Sequence, residues 1–136
     1  MVSPCSLFFS LCQYSPWQSL IGETYIAGIP VKSLASSNTL VFTGCFSKDY
    51  HEVQVRDPEL LSNSTSGVGT AMLSNRISHF YDLQWASISI DTGCSGSMVA
   101  LHQACRSICS GDSDILVVAG ADALLKDSFI AMSTLG

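Results

Sequence analysis

Charge is scarce in this 136-residue chain: 12% of its residues are Asp, Glu, Lys or Arg, and six are basic. With a net charge of -5 it lacks the basic footprint that DNA, RNA or an anionic lipid surface would require. Long apolar runs are missing too. The run Ser6-Leu7-Phe8-Phe9-Ser10-Leu11-Cys12 falls well short of the ~20 residues of a bilayer helix. It also lacks the positive flank and small-residue cleavage site of a secretory signal. Cysteine is plentiful, at positions 5, 12, 45, 94, 105 and 109, yet no C-x-x-C and no histidine pair at zinc spacing occurs. Metal sites of the usual kind are therefore not expected. The cysteines read as reduced thiols of a cytoplasmic protein. A secreted disulfide scaffold would be short and poor in core, whereas 47% of this chain is hydrophobic, enough to build a buried interior.

What is present centres on residues 87 to 111. Ile88 and Ile90 alternate with Ser87, Ser89 and Asp91, the period of a strand. Beyond Gly96 the period changes: Met98, Leu101, Cys105 and Ile108 recur every three or four residues, preceded by Ser95 and Ser97 and followed by Gly111. That is a helix with start and stop signals, and these four residues are its expected core stripe. Cys94 falls in the turn between the two, where a helix leaves backbone N–H groups unpaired and carries the positive end of its dipole. Such placement favours the reactive thiolate of a nucleophilic cysteine, and the free N–H groups can stabilise an oxyanion. Gly93 and Gly96 are expected to keep bulk away from the sulfur. On residue type alone, a buried structural cysteine remains an equal alternative.

Along the rest of the chain, Leu40 to Phe46 is β-branched and aromatic and is expected to be a buried strand. Residues 47 to 69, broken by Asp57-Pro58 and by Ser62 to Gly67, are expected to be a loop. It contains the sequon Asn63-Ser64-Thr65, which a cytoplasmic protein would not use. Thr70 is placed to cap a helix running to Leu83, with Leu73, Ile77 and Phe80 as its apolar stripe. His51 and His79 have no partners at ligand spacing and read as surface or packing residues. Trp85 is expected to be partly exposed or packed on its neighbours. Ile115 to Ala121 is continuously apolar, as in a strand covered on both faces. Strand, helix, strand then implies a parallel, right-handed crossover.

The segment Asp91-Thr92-Gly93-Cys94-Ser95-Gly96-Ser97-Met98-Val99-Ala100-Leu101-His102 resembles the active-site segment of the β-ketoacyl synthases, usually D-T-A-C-S-S-S-L-V-A-L-H. The resemblance is strongest to ketosynthase domains of fungal reducing polyketide synthases. It continues through Ser74 to Leu83 upstream and Asp114 to Ala121 downstream, while Glu23 to Pro30 resembles only the end of the family's leading helix. It implies an α/β fold: part of the N-terminal half of a thiolase-like layered architecture, with a mixed sheet and a nucleophile-bearing central helix. The expected division is an atypical N-terminal segment, 1–22, and a partial ketosynthase N-terminal domain, 23–136. An exposed apolar patch is expected where the rest of the architecture would pack.

The resemblance further implies that Cys94 accepts an acyl group from the phosphopantetheine of an acyl carrier protein. The chain itself would need no cofactor, and the complete domain would be a homodimer. The family's two catalytic histidines lie in H-G-T-G-T and near K-x-x-x-G-H, and neither motif occurs in these 136 residues. His102 lies eight residues beyond Cys94, roughly 12 Å along a helix at 1.5 Å per residue, too far to act as its base. The leading expectation is thus a truncated condensing enzyme. A non-catalytic remnant or interaction module is the alternative. A cysteine hydrolase is weaker, because Thr92 stands where a G-x-C-x-G nucleophile elbow needs glycine.

Overall fold

The computed structural model describes residues 6–11, 30–46, 51, 55–57, 69–120 and 126–134. Its elements are β1 (Ser6–Leu11), a 3-10 turn (Val31–Ser33), β2 (Leu40–Gly44), α1 (Ala71–Phe80), β3 (Ser87–Ile90), α2 (Gly96–Ser110), β4 (Ile115–Gly120) and α3 (Lys126–Ser133). The strands form one sheet in the order β1-β4-β2-β3. Every pairing is parallel, so the sheet expected to be mixed is parallel across its described strands.

The two sheet faces are covered by different helices. On one, Val41, Val117 and Ala119 pack with Ile77, Tyr81 and Leu83 from α1 and the segment after it, and with Leu34. On the other, Leu40, Phe42, Leu116 and Val118 pack with Ala100 and Ala104 of α2. Alternate residues of β2 and β4 thus serve opposite layers, which is why Leu40–Phe42 and Ile115–Ala119 read as unbroken apolar runs. The α/β layering expected from the sequence is present. Helix α2 leaves the edge strand β3 and returns in β4 on the far side of β2, so its connection passes over β2.

Several local expectations are corrected. The core stripe of α2 is Gly96, Ala100 and Ala104, flanked by the partly buried Leu101 and Ile108. Met98 and Cys105 point outward instead. Small side chains let the helix lie close on the sheet, and they carry little hydrophobic signal in the sequence. Helix α1 stops at Phe80, Thr70 makes no side-chain cap, and the buried residues are Ser74 and Ile77. Phe80 is 64% exposed and lies edge-on to the buried Tyr81, with ring centroids 4.9 Å apart. Within the expected loop, His51, Val55 and Arg56 are helical. Ser6–Leu11, set apart from the domain pattern at the sequence level, is a strand paired with β4 from Ser6↔Ile115 to Leu11↔Gly120. The leading-helix resemblance at 23–29 and the sequon at 63–65 lie outside the described residues. Trp85 is half exposed, and with Phe46, Val55, Phe80, Ile88, Met98, Ile130 and Met132 it makes eight exposed large apolar side chains among the described residues.

Candidate active site

The candidate nucleophile lies beyond the carboxyl end of β3, the end of a parallel sheet where ligand crevices form. Ile90, Gly44 and Gly120 make the last row of paired residues in β3, β2 and β4. The chain then turns through Asp91 to Ser95 into α2. Gly93 has φ +66°, a left-handed conformation that favours glycine, and its N–H donates to Asp91 Oδ1 at 3.2 Å. A single bridge joins Thr92 and Cys94. Ser95 occupies the position before α2 without capping it. Its hydroxyl instead donates to the Thr92 carbonyl at 2.9 Å, so it stiffens the turn rather than satisfying the helix.

The structure places Cys94 exposed and free at this turn, which removes the buried-cysteine alternative. The helix start beside it is open. Gly96 N–H donates to Gly93 O at 3.0 Å and Val99 N–H to Ser95 O at 3.0 Å, while no acceptor among the described residues takes the N–H of Ser97 or Met98. Unpaired first-turn donors of this kind can receive the oxygen of an attacked carbonyl.

Two neighbours of the turn were not read as site residues from the sequence. The half-exposed Phe46 ring lies beside the turn, with two ring carbons 3.9 Å from where a Gly93 Cβ would stand. Gly44 packs against the first turn of α2. An isolated glycine at the end of an apolar strand signals a close backbone approach, and that was the available clue. Gly96 has a different role from the one expected. A Cβ there would meet Ile90 O at 3.3 Å, together with Cys45 N and Gly44 Cα, so this glycine serves packing on the sheet rather than access to the sulfur.

None of the three histidines is among the turn residues just described. His102 is an exposed residue within α2, and His79 and His51 are exposed elsewhere. No group of three or more His, Cys, Asp or Glu side chains able to hold a metal ion occurs among the described residues. Nor, among them, is any helix long and apolar enough to cross a membrane.

Comparison with known proteins agrees with this geometry. The profile described as beta-ketoacyl synthase, N-terminal domain, matches residues 25–136. The highly reducing polyketide synthase pks5 of Leptosphaeria maculans is 52% identical over 112 residues, covering 81% of this chain and 4% of that protein. The lovastatin diketide synthase mokB of Monascus pilosus is 48% identical over 129 residues, covering 89% of this chain and 5% of that protein. Among solved structures, the oxazolomycin ketosynthase domain OzmH KS7 of Streptomyces albus superposes with a TM-score of 0.72 at 30% identity, covering 88% of this chain and 21% of that one. The ketosynthase from module 6 of the bacillaene synthase of Bacillus subtilis gives 0.70 at 27% identity, covering 88% and 20%. The chain thus spans about a fifth of the solved ketosynthases and about a twentieth of the synthases it matches. With a thiolase-like sheet, an exposed cysteine at the strand-to-helix turn and a profile match over most of its length, this chain belongs to the β-ketoacyl synthase family, within that family's N-terminal domain.

Proposed function

We propose that this chain provides the acyl-accepting part of a polyketide synthase ketosynthase domain, with Cys94 as the nucleophile. The observation that carries this reading is the exposed Cys94 beside the open first turn of α2. The Cys94 sulfur attacks the carbonyl of an acyl thioester borne on the phosphopantetheine of an acyl carrier protein. The carbonyl oxygen, negative in the tetrahedral intermediate, takes the Ser97 and Met98 N–H groups. The bond to the carrier sulfur breaks, the acyl group stays on Cys94, and the thiol proton ends on the departing carrier thiol.

Condensation then needs an enolate, formed when a malonyl thioester loses CO2. Its carbon attacks the Cys94 thioester, a carbon–carbon bond forms, and the cysteine sulfur is released. The groups that would assist decarboxylation have no matching motif in these 136 residues, so acylation is the step assigned to this chain and full turnover is assigned to the complete domain. That domain is proposed to act as a homodimer with carrier-protein partners, its thioester substrates bringing their own phosphopantetheine. A cytoplasmic setting is proposed with it, following the reading of the cysteines as reduced thiols in a chain rich enough in apolar residues to build a core without disulfides.

Incubation with a hexanoyl N-acetylcysteamine thioester, followed by intact-mass measurement, tests the assignment. The expected result is one hexanoyl adduct that is absent in Cys94→Ala. A folded wild-type chain without an adduct, or an adduct that persists in the variant, overturns it.

A further inference from the structure

Helix α2 is held by its first turn against the end of β2 at a point where no side chain fits. A Cβ added to Gly44 would lie 2.3 Å from Ser97 N, 2.5 Å from the Gly96 carbonyl carbon and 2.7 Å from Ser97 Cα. All three are backbone atoms that cannot swing aside. From the opposite side, a Cβ on Gly96 would meet Ile90 O at 3.3 Å and Gly44 Cα at 3.5 Å. Cys45 N–H donates to that same Ile90 carbonyl at 3.2 Å, so the ends of β2 and β3 are fastened where α2 crosses them. Only Asp91 to Ser95 lies between Ile90 and Gly96. The height of the helix start above the sheet therefore sets where Cys94 and the Ser97 N–H sit relative to each other.

We infer that Gly44 and Gly96 are positioning residues for the nucleophile, their backbone-to-backbone contact fixing Cys94 against the open N–H groups of α2. This rests on the reading of Cys94 as the acyl acceptor. A methyl group at position 44 requires the first turn of α2 to lift off the sheet. The distant core contacts, Ala100 and Ala104 against Leu116 and Val118, hold the rest of the helix down. The displacement is then concentrated at the turn that carries the sulfur. Gly111 provides the control at the other end of the same helix. It has φ +75° with nothing within 4 Å of its Cβ position, so Gly111→Ala strains the backbone and lowers stability without touching the Cys94 turn.

The test follows hexanoyl adduct formation on the full chain against thioester concentration, with circular dichroism to verify folding. Gly44→Ala is expected to lower the limiting acylation rate about tenfold or more, as misplacement of a reacting group by a fraction of an ångström or more does. The half-saturating concentration should change little, and Gly111→Ala should stay within about twofold of wild type, since strain remote from the reacting groups does not misplace them. A folded Gly44→Ala protein acylated at the wild-type rate overturns the inference. So does an equal loss in Gly111→Ala. If Gly44→Ala does not fold, Gly96→Ala is used, whose tightest new contact is 3.3 Å. A several-fold loss supports the inference and an unchanged rate overturns it. If wild type forms no adduct, the acyl-acceptor reading fails on its own account. Iodoacetamide labelling at Cys94, referenced to the exposed Cys105 and Cys109, then decides the positioning claim: a lower relative rate in the glycine variant upholds it, and an unchanged ratio overturns it.

Discussion

The hydroxyls of Thr43 and Ser89 lie 2.9 Å apart across the β2–β3 pair, and Ser89 Oγ is also 3.0 Å from Ser74 Oγ of α1. Thr43 and Ser74 are both buried, so Ser89, next to last in β3, is the middle of a hydroxyl chain joining two strands and a helix. Removing the middle member strands the Thr43 hydroxyl, while Ser74 keeps its bond to the Ala71 carbonyl at 3.3 Å. Ser89→Ala is expected to cost about 1–3 kcal/mol, the usual effect of leaving a buried polar group unpaired. Urea midpoints of the wild type, Ser89→Ala and Ser89→Ala/Thr43→Val check this. The double variant should recover part of the loss, because it removes the stranded threonine hydroxyl, and a single-variant loss below a few tenths of a kcal/mol would refute the chain.

Helix α2 makes a second expectation sharp, because hydrophobicity and burial disagree along it. Ala104 is fully buried and Cys105 is exposed. Ala104→Leu should destabilise by about 1–3 kcal/mol through overpacking against the sheet, whereas Cys105→Ala should stay within about 0.5 kcal/mol of wild type. The periodicity of the larger residues forecasts the opposite order, so thermal denaturation of the two variants distinguishes them directly.

That disagreement marks how far the sequence could be read. Strand β3 was legible because the alternation in Ser87–Ile90 matches a two-residue period that no helix shares, and β2 and β4 because they are short β-branched apolar runs bounded by turn residues. The position of Cys94 was legible because a change of period on either side of it marks a turn, and the family resemblance is the source of the role proposed for it. The buried face of α2 was not legible. Glycine and alanine contribute little apolar area, so Gly96, Ala100 and Ala104 are silent in a pattern that Met98 and Cys105 dominate. Nor was β1 legible, since its partner β4 follows roughly a hundred residues later and short-range periodicity carries no information on such a pairing. Gly44 is silent in the sequence for a related reason: its importance comes from a helix that returns to it from about fifty residues further along.

The last expectation concerns alkaline pH. Tyr81 is only 5% exposed, and burial raises its phenol pKa above the ordinary value of 10.0 by disfavouring the charged phenolate. In the unfolded chain the phenol ionises near its ordinary value, while in the native protein it keeps its proton to higher pH. Between those two values the unfolded state binds fewer protons than the native state, so stability falls as pH rises. The contribution of the buried phenol is complete below pH 10 and declines from there until the native pKa is passed. Tyr81→Phe keeps the ring packed in the same layer and removes the titration. Urea denaturation on either side of about pH 10 should show the wild type losing more stability than Tyr81→Phe over that interval. Equal slopes for the two proteins would mean that the phenol is as readily ionised in the folded state as in the unfolded one.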